Sequence, residues 1–185
     1  MRAFSPPDSG LGDGRIRLRL PVATDEPAVF EACQDPEIQR WVPIPVPYLR
    51  QHARGWITEA ERGWAEGRHG ALAIADIADD RFLGAIGLGP IAEHRASIGY
   101  WVAPAERGRG VATAAVRLLA RWALASLGFR RLDLYHFVGN EASGRVAEKV
   151  GFQREGLLRA YVVVRGEARD CVMYSLLASD VENTG

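Results

Sequence analysis

The sequence predicts a single mixed α/β domain: a mostly antiparallel central sheet with one parallel strand pair and helices on both faces. Three observations carry that reading. From Gly70 the apolar period is two, and three strand-like runs, Ala71 to Asp76, Phe82 to Ile91 and Ala96 to Val102, are joined by short turns at Asp79-Asp80 and Glu93-His94-Arg95, as in an antiparallel meander. The next strand, Arg131-Leu-Asp-Leu-Tyr-His-Phe137, is reached only through a long helix pattern, so its pairing with the strand before that helix is parallel and the crossover right-handed. Two further strands, Phe152 to about Val164 and Ala168 to Leu177, turn at Arg165-Gly166 and close the chain.

The elements follow in order. Residues 1–14, rich in Gly, Pro, Ser and Asp, lack apolar periodicity and read as a mobile tail; residues 15–178 form the domain and 179–185 a polar tail. Arg15-Ile-Arg-Leu-Arg-Leu20 alternates strictly, a strand with its arginines on the solvent face. Thr24 and Asp25 ahead of Pro27 mark a helix start, with Val29, Phe30 and Cys33 inward, and Asp35-Pro36 ends or kinks that helix. Trp41-Val-Pro-Ile-Pro-Val-Pro-Tyr48 carries three prolines at alternate positions, which fits neither a helix nor a central strand. It reads as an ordered apolar loop that packs as a lid or lends Trp41 and Tyr48 to a pocket. A helix pattern runs from about Tyr48 to Ala65. Another runs from about Gly110 to Leu127, where only Thr113, Arg117 and Arg121 break an apolar surface, so the helix lies flat on the sheet and Gly128 stops it. In the last helix Asn140 is the cap, Gly151 the stop, and Ala142, Val146, Ala147 and Val150 face inward.

Composition narrows the function. A chain of 185 residues, 48% hydrophobic, buries one core and is too short for two ordinary domains. The formal charge is zero, so no global basic field points to nucleic acid or an anionic membrane. Cys33 and Cys171 form no CxxC pair and the four histidines share no ligand spacing, so neither a disulfide framework nor a metal site is signalled; a reduced, cytoplasmic setting is expected. No apolar stretch reaches the ~20 residues that span a bilayer.

The segment that carries chemistry is Glu106-Arg-Gly-Arg-Gly-Val-Ala-Thr-Ala-Ala115, at a strand-to-helix turn. Gly108 and Gly110 let the backbone bend and approach a ligand with no Cβ in the way. The first amides of the following helix lack intrahelical acceptors and sit at the positive end of its dipole, which suits a phosphate or pyrophosphate. Arg107 and Arg109 add charged donors unless their side chains are simply solvated.

From about Arg15 to Leu177 the chain resembles the GNAT-superfamily N-acetyltransferases, whose pyrophosphate signature Gln/Arg-x-x-Gly-x-Gly/Ala is matched by Arg107-Gly-Arg-Gly-Val-Ala112. A second segment, Asn140-x-x-Ser143 running into Ala147-Glu-Lys-Val-Gly-Phe152, is similar to the branch that acetylates ribosomal-protein N-termini; other members of that branch acetylate small amines. The resemblance implies acetyl-CoA as co-substrate and a primary amine as acceptor, in a protein that is a monomer or homodimer. It implies that the amides of Arg107, Gly108, Arg109, Gly110, Val111, Ala112 and Thr113 hold the pyrophosphate. The strand Gly99-Tyr-Trp-Val-Ala103 would splay from its parallel neighbour and receive the pantetheine arm, with the amide near Trp101 or Val102 binding the thioester oxygen. Asn140 and Ser143 would line the other wall.

The reaction is attack of a neutral amine on a thioester, which calls for a base or water chain and a donor for the departing thiolate. Many family members carry a tyrosine acid where this chain has Ala147, so Ser143 becomes the candidate donor to sulfur. For the base, Glu93, His94, Asp133 and His136 qualify by residue type; Asp133 and Tyr135 rank above the turn residues because a central-strand face meets the cleft. Three other readings stand beside this one. A dinucleotide fingerprint over Gly108 to Thr113, with Asp133 about twenty residues on, fails because Thr113 replaces the third glycine and a meander precedes it. An acyl-CoA-binding sensor without chemistry, and transfer of another acyl group such as succinyl favoured by Arg159 or Arg165, remain open.

Overall fold

The computed structural model describes residues 5–8 and 10–182. Its strands are β1 (Leu11–Gly12), β2 (Ile16–Arg19), β3 (Gly70–Asp76), β4 (Phe82–Ile91), β5 (Arg95–Val102), β6 (Arg131–Phe137), β7 (Gln153–Val164) and β8 (Glu167–Leu177). The helices are α1 (Glu26–Ala32), α2 (Pro36–Trp41), α3 (Arg50–Ala65), α4 (Val111–Ser126), α5 (Glu141–Val150) and α6 (Ala178–Glu182). One sheet of order β1-β2-β3-β4-β5-β6-β8-β7 contains every strand, antiparallel throughout except for β5 with β6.

The core is divided between the two faces of the sheet. Leu72, Ile74, Ile86, Leu88, Ile98, Leu132 and Leu134 pack with α4 and Ala147 of α5. Ala73, Ala85 and Phe82 pack the opposite way, with Val29 of α1, Cys33 just after it, Ile38 of α2, Tyr48 just ahead of α3 and Ala53 of α3. Helix α4 fits the sequence expectation: Val116, Leu119, Ala120 and Ala123 are fully buried while Arg117 and Arg121 face water.

Several expectations are corrected. The first helix ends at Ala32, just ahead of Asp35-Pro36, and that pair also starts a second helix: Asp35 Oδ1 accepts from Ile38 N at 2.9 Å and Pro36 takes the first helical position, where its missing N–H costs nothing. Within the expected N-terminal tail, Leu11 and Gly12 pair with Leu18 and Arg17. Within the expected C-terminal tail, α6 forms and Asp180 Oδ2 accepts from Leu177 N at 2.9 Å. The remaining tail residues, 1–4, 9 and 183–185, lie outside the described set. Arg19 is no solvent-face residue: it grips Asp25 through two bonds, 2.8 and 2.9 Å, and Asp80 through a third. In α5 Ala147 is buried and Val146 and Val150 pack against the core as expected, Gly144 joins that inward face, and Ala142 is exposed.

The feature that shapes the molecule is the parallel pair. β5 and β6 are in register only at Arg95 with Arg131, Ala96 with Leu132 and Ser97 with Asp133. Beyond that level each keeps its outer partner, β5 pairing with β4 up to Val102 and β6 with β8 up to Phe137. The two strands therefore part along their C-terminal halves, and their freed backbone groups face an opening.

Candidate active site

A cleft of about 930 Å³ runs through that opening. Its walls include Gly99, Tyr100, Trp101 and Val102 of β5, Tyr135, His136 and Phe137 of β6, the loop at Arg107, Gly108 and Gly110, and Val111 to Thr113 of α4. Asn140, Ser143, Arg145 and Lys149 from the start and outer side of α5 complete it on one sheet face; Glu37, Trp41, Val42 and Trp56 from α2, its following loop and α3 complete it on the other.

The loop geometry fits a phosphate cradle. Gly108 has φ +75° and Gly110, the α4 cap, φ +78°, and a Cβ at either would meet nothing within 4 Å. The backbone is left-handed at both, as a β-branched residue rarely is, and the space above is open. The first α4 amide with an intrahelical acceptor is that of Ala114, which donates to Gly110 O at 3.0 Å, so those of Val111, Ala112 and Thr113 precede the ladder.

The two cradle arginines are committed elsewhere. Arg107 Nη2 donates to Asp35 Oδ1 at 2.6 Å, tying the loop to α2. Arg109 points back to Glu106 at 3.3 Å, its carbonyl accepts from Arg15 at 2.6 Å, and it does not line the cleft. Positive charge comes instead from Arg145 and Lys149, one turn apart on α5, neither with an ion-pair partner among the described residues. Sequence reasoning missed both because nothing local distinguishes them from solvated helix charges.

At the α5 end, Asn140 caps the helix, its Oδ1 accepting from Ser143 N at 3.3 Å. The Ser143 hydroxyl lies 3.0 Å from the Tyr100 hydroxyl, which reaches it from β5 across the opening. Burial pushes Tyr100 up to about 12 against the opposing pull of the Ser143 bond, so it is a neutral donor at ordinary pH.

The structure does not bring Asp133 to the cleft. It sits where β5 and β6 are still paired, 6% exposed, and its carboxylate is held by Arg131 at 2.6 Å with Arg95 at 3.8 Å. That fits a structural ion pair rather than the expected base. Tyr135 does line the cleft, its ring 5.4 Å from Tyr161 and edge-on, and burial raises its pKa. His136 is 4% exposed; its Nδ1–H donates to Phe137 O at 2.9 Å, and its Nε2 has no hydrogen-bond partner among the described residues. The carboxylates on the cleft are, among the described residues, Glu106, held by Arg81 and Arg109, and Glu37, which accepts from Trp41 Nε1 at 2.9 Å and lies near Arg40.

Of the proline-rich segment, Trp41, Val42 and Pro43 line the cleft, whereas Tyr48 is buried in the core beside α1. Arg165 from the β7–β8 turn donates to Ile44 O at 3.2 Å and Gln39 O at 2.8 Å, which fastens that turn over the segment.

Comparison with known proteins agrees with this geometry. The acetyltransferase (GNAT) domain family matches residues 15–153. A putative ribosomal N-acetyltransferase, YdaF of Bacillus subtilis, is 42% identical over 88 residues, 48% of each chain, so the match spans about half of that relative. The probable N-acetyltransferase YjcK of the same organism is 33% identical over 138 residues, 73% of this chain and 76% of the relative. Among solved structures, RimL, a ribosomal L7/L12 α-N-protein acetyltransferase in complex with coenzyme A, superposes with a TM-score of 0.79 at 20% identity, covering 89% of this chain and 95% of that one. With the glycine-bent helix entrance, the parted strands and the family match in agreement, the chain belongs to the acetyltransferase (GNAT) family.

Proposed function

We propose that this chain moves an acetyl group from acetyl-CoA to the primary amine of a protein N-terminus or a small molecule, by direct attack through a tetrahedral intermediate. The observation that carries the reading is the continuity of one cleft from the open glycine turn, through the gap between β5 and β6, to Ser143. The amides of Val111, Ala112 and Thr113 would hold the diphosphate, with Arg145 and Lys149 beside it. The backbone groups of Gly99 to Val102 that point away from β4, where pairing with β6 has stopped, would take the pantetheine amides and, at Trp101 or Val102, the oxyanion. Asn140 pins the first turn of α5, and Ser143 donates to the departing sulfur.

The acceptor would approach from the opposite face, between Trp41, Trp56 and Tyr135, where Glu37 is the carboxylate not held by a buried pair. Aromatic faces and a carboxylate together attract an ammonium group. A peptide α-amine, with pKa about 8, then loses its proton more readily than a lysine near 10.4. The names of YdaF and RimL favour a protein N-terminus as acceptor.

The test mixes purified chain with acetyl-CoA and a panel of N-terminal peptides and small primary amines, and follows free thiol. Thiol release that depends on the amine supports transfer. Saturable acetyl-CoA binding with no amine-dependent release makes the chain an acyl-CoA sensor, and faster release from succinyl-CoA changes the acyl group.

A further inference from the structure

The hydroxyl of Ser143 has one hydrogen-bond partner among the described side chains, the Tyr100 hydroxyl at 3.0 Å. The two residues are 43 apart in sequence and come from opposite sides of the gap, Tyr100 from the parted half of β5 and Ser143 from the first turn of α5. Both line the cleft. Tyr100 shares the α4-facing side of β5 with Ile98 and Val102, so its ring is packed and its hydroxyl is the part aimed at the opening. A phenol is a far stronger acid than an alcohol, so the phenol donates and the serine oxygen accepts. The serine's own hydrogen is then free to point into the cleft.

We propose that Tyr100 is a positioning and proton-supplying residue that acts through Ser143 on the sulfur leaving the thioester. As the C–S bond breaks, the electron pair goes to sulfur. Sulfur takes the Ser143 hydroxyl proton while Ser143 takes the Tyr100 proton. The amine nitrogen, bonded now to the acetyl carbon, gives up its own proton to water, and water restores Tyr100, so charge and protons balance over one turnover.

Acidities in the fold are compatible with this. Burial pushes the Tyr100 phenol up to about 12, so it holds its proton at ordinary pH, and a phenol is a better proton source than a lone serine hydroxyl. The relay also accounts for Ala147. That position, one turn beyond Ser143 and fully buried, offers only a methyl group, and Tyr100 reaches the same turn from the strand instead.

The proposal rests on the acetyl-transfer reading. If the wild-type chain releases no thiol with any amine, that reading has failed; the relay is judged against an active wild type. Tyr100→Phe keeps the packed ring and removes the hydroxyl. Its kcat is expected to fall by 10-fold or more, in line with the ~10²–10⁴ that a general acid contributes, with acetyl-CoA Kd changed less than about twofold. The thiol of bound CoA, titrated by thiolate absorbance, is expected to move up by about one unit because the thiolate loses a polarised donor. Tyr100→Phe in a Ser143→Ala background is expected to cost nothing further, as for two residues acting as one unit. Unchanged kcat overturns the relay. So does a loss of kcat matched by weaker binding with the thiol titration unmoved, which marks Tyr100 as a packing residue, and so do losses that multiply in the double variant.

Discussion

Asp35 and Arg107 join the two sides of the cleft through one carboxylate: Asp35 Oδ1 caps α2 by accepting from Ile38 N at 2.9 Å and also accepts from Arg107 Nη2 at 2.6 Å. Burial works against the charge on Asp35, but Arg107 and the backbone amides of Ile38 and Glu37 more than offset it and hold the acid below its usual range. A carboxylate depressed in the fold adds stability above its ordinary pKa of about 3.9 and loses it as the pH falls below that.

Asp35→Ala removes both bonds, and Asp35→Asn keeps a cap but not the ion pair. We expect Ala to cost about 1–2 kcal/mol in urea unfolding, Asn clearly less. Acetyl-CoA affinity should weaken in both, since each frees the cradle loop; calorimetry with each variant separates the two effects.

Gly110→Val places a β-branched residue at φ +78° with its side chain in open space above the cradle. The expected outcome is a rise of at least 100-fold in Kd for CoA with helix content by circular dichroism unchanged. Arg145→Ala and Lys149→Ala should each raise Kd about two- to tenfold, the effect shrinking at high salt because these charges are exposed. Unaltered affinity in all three would remove the diphosphate from this turn.

Much of this architecture is legible in the chain, and what is not has a physical reason. The β4 boundaries follow from an apolar run bounded by turn residues, and the polar stripe of α4 from its period, because that helix is long and covered on one side. Helix α2 is six residues, too short for a period, and Asp-Pro is a start signal as well as a stop. Asp133 reads as cleft-facing from its strand, but the level at which β5 and β6 part decides which residues of β6 reach the opening, and that is a tertiary property. Tyr100 with Ser143, and Glu37 beside Trp41, become visible only when distant segments meet.

Gly144 is where α5 comes closest to the sheet. A Cβ there would stand 2.9 Å from Tyr174 Oη and 3.0 Å from His136 Nε2. Gly144→Ala should therefore destabilise by about 1–3 kcal/mol despite the better helix propensity of alanine. Combining it with Tyr174→Phe, which withdraws the nearer atom, should recover part of the loss in a thermal melt.

Glu155 provides a pH test outside the cleft. Two bonds from Arg131, at 2.7 Å each, and one from Ser175 hold its carboxyl down at about 2. Its contribution is present above the ordinary value of about 4.3 and disappears as the pH falls toward 2. The pair is largely solvent-facing, so Glu155→Gln should cost no more than about 1 kcal/mol at pH 7, with the gap to wild type narrowing steadily below pH ~4.

Hydrogen exchange with and without CoA tests the central arrangement most directly, because it reads backbone donors one segment at a time. Saturating CoA is predicted to slow exchange at 99–102 in the parted half of β5 and at 110–113 at the α4 entrance. Bound CoA that leaves both segments exchanging as in the free chain, while slowing it in the hollow between Leu11 and Trp122, would contradict the account.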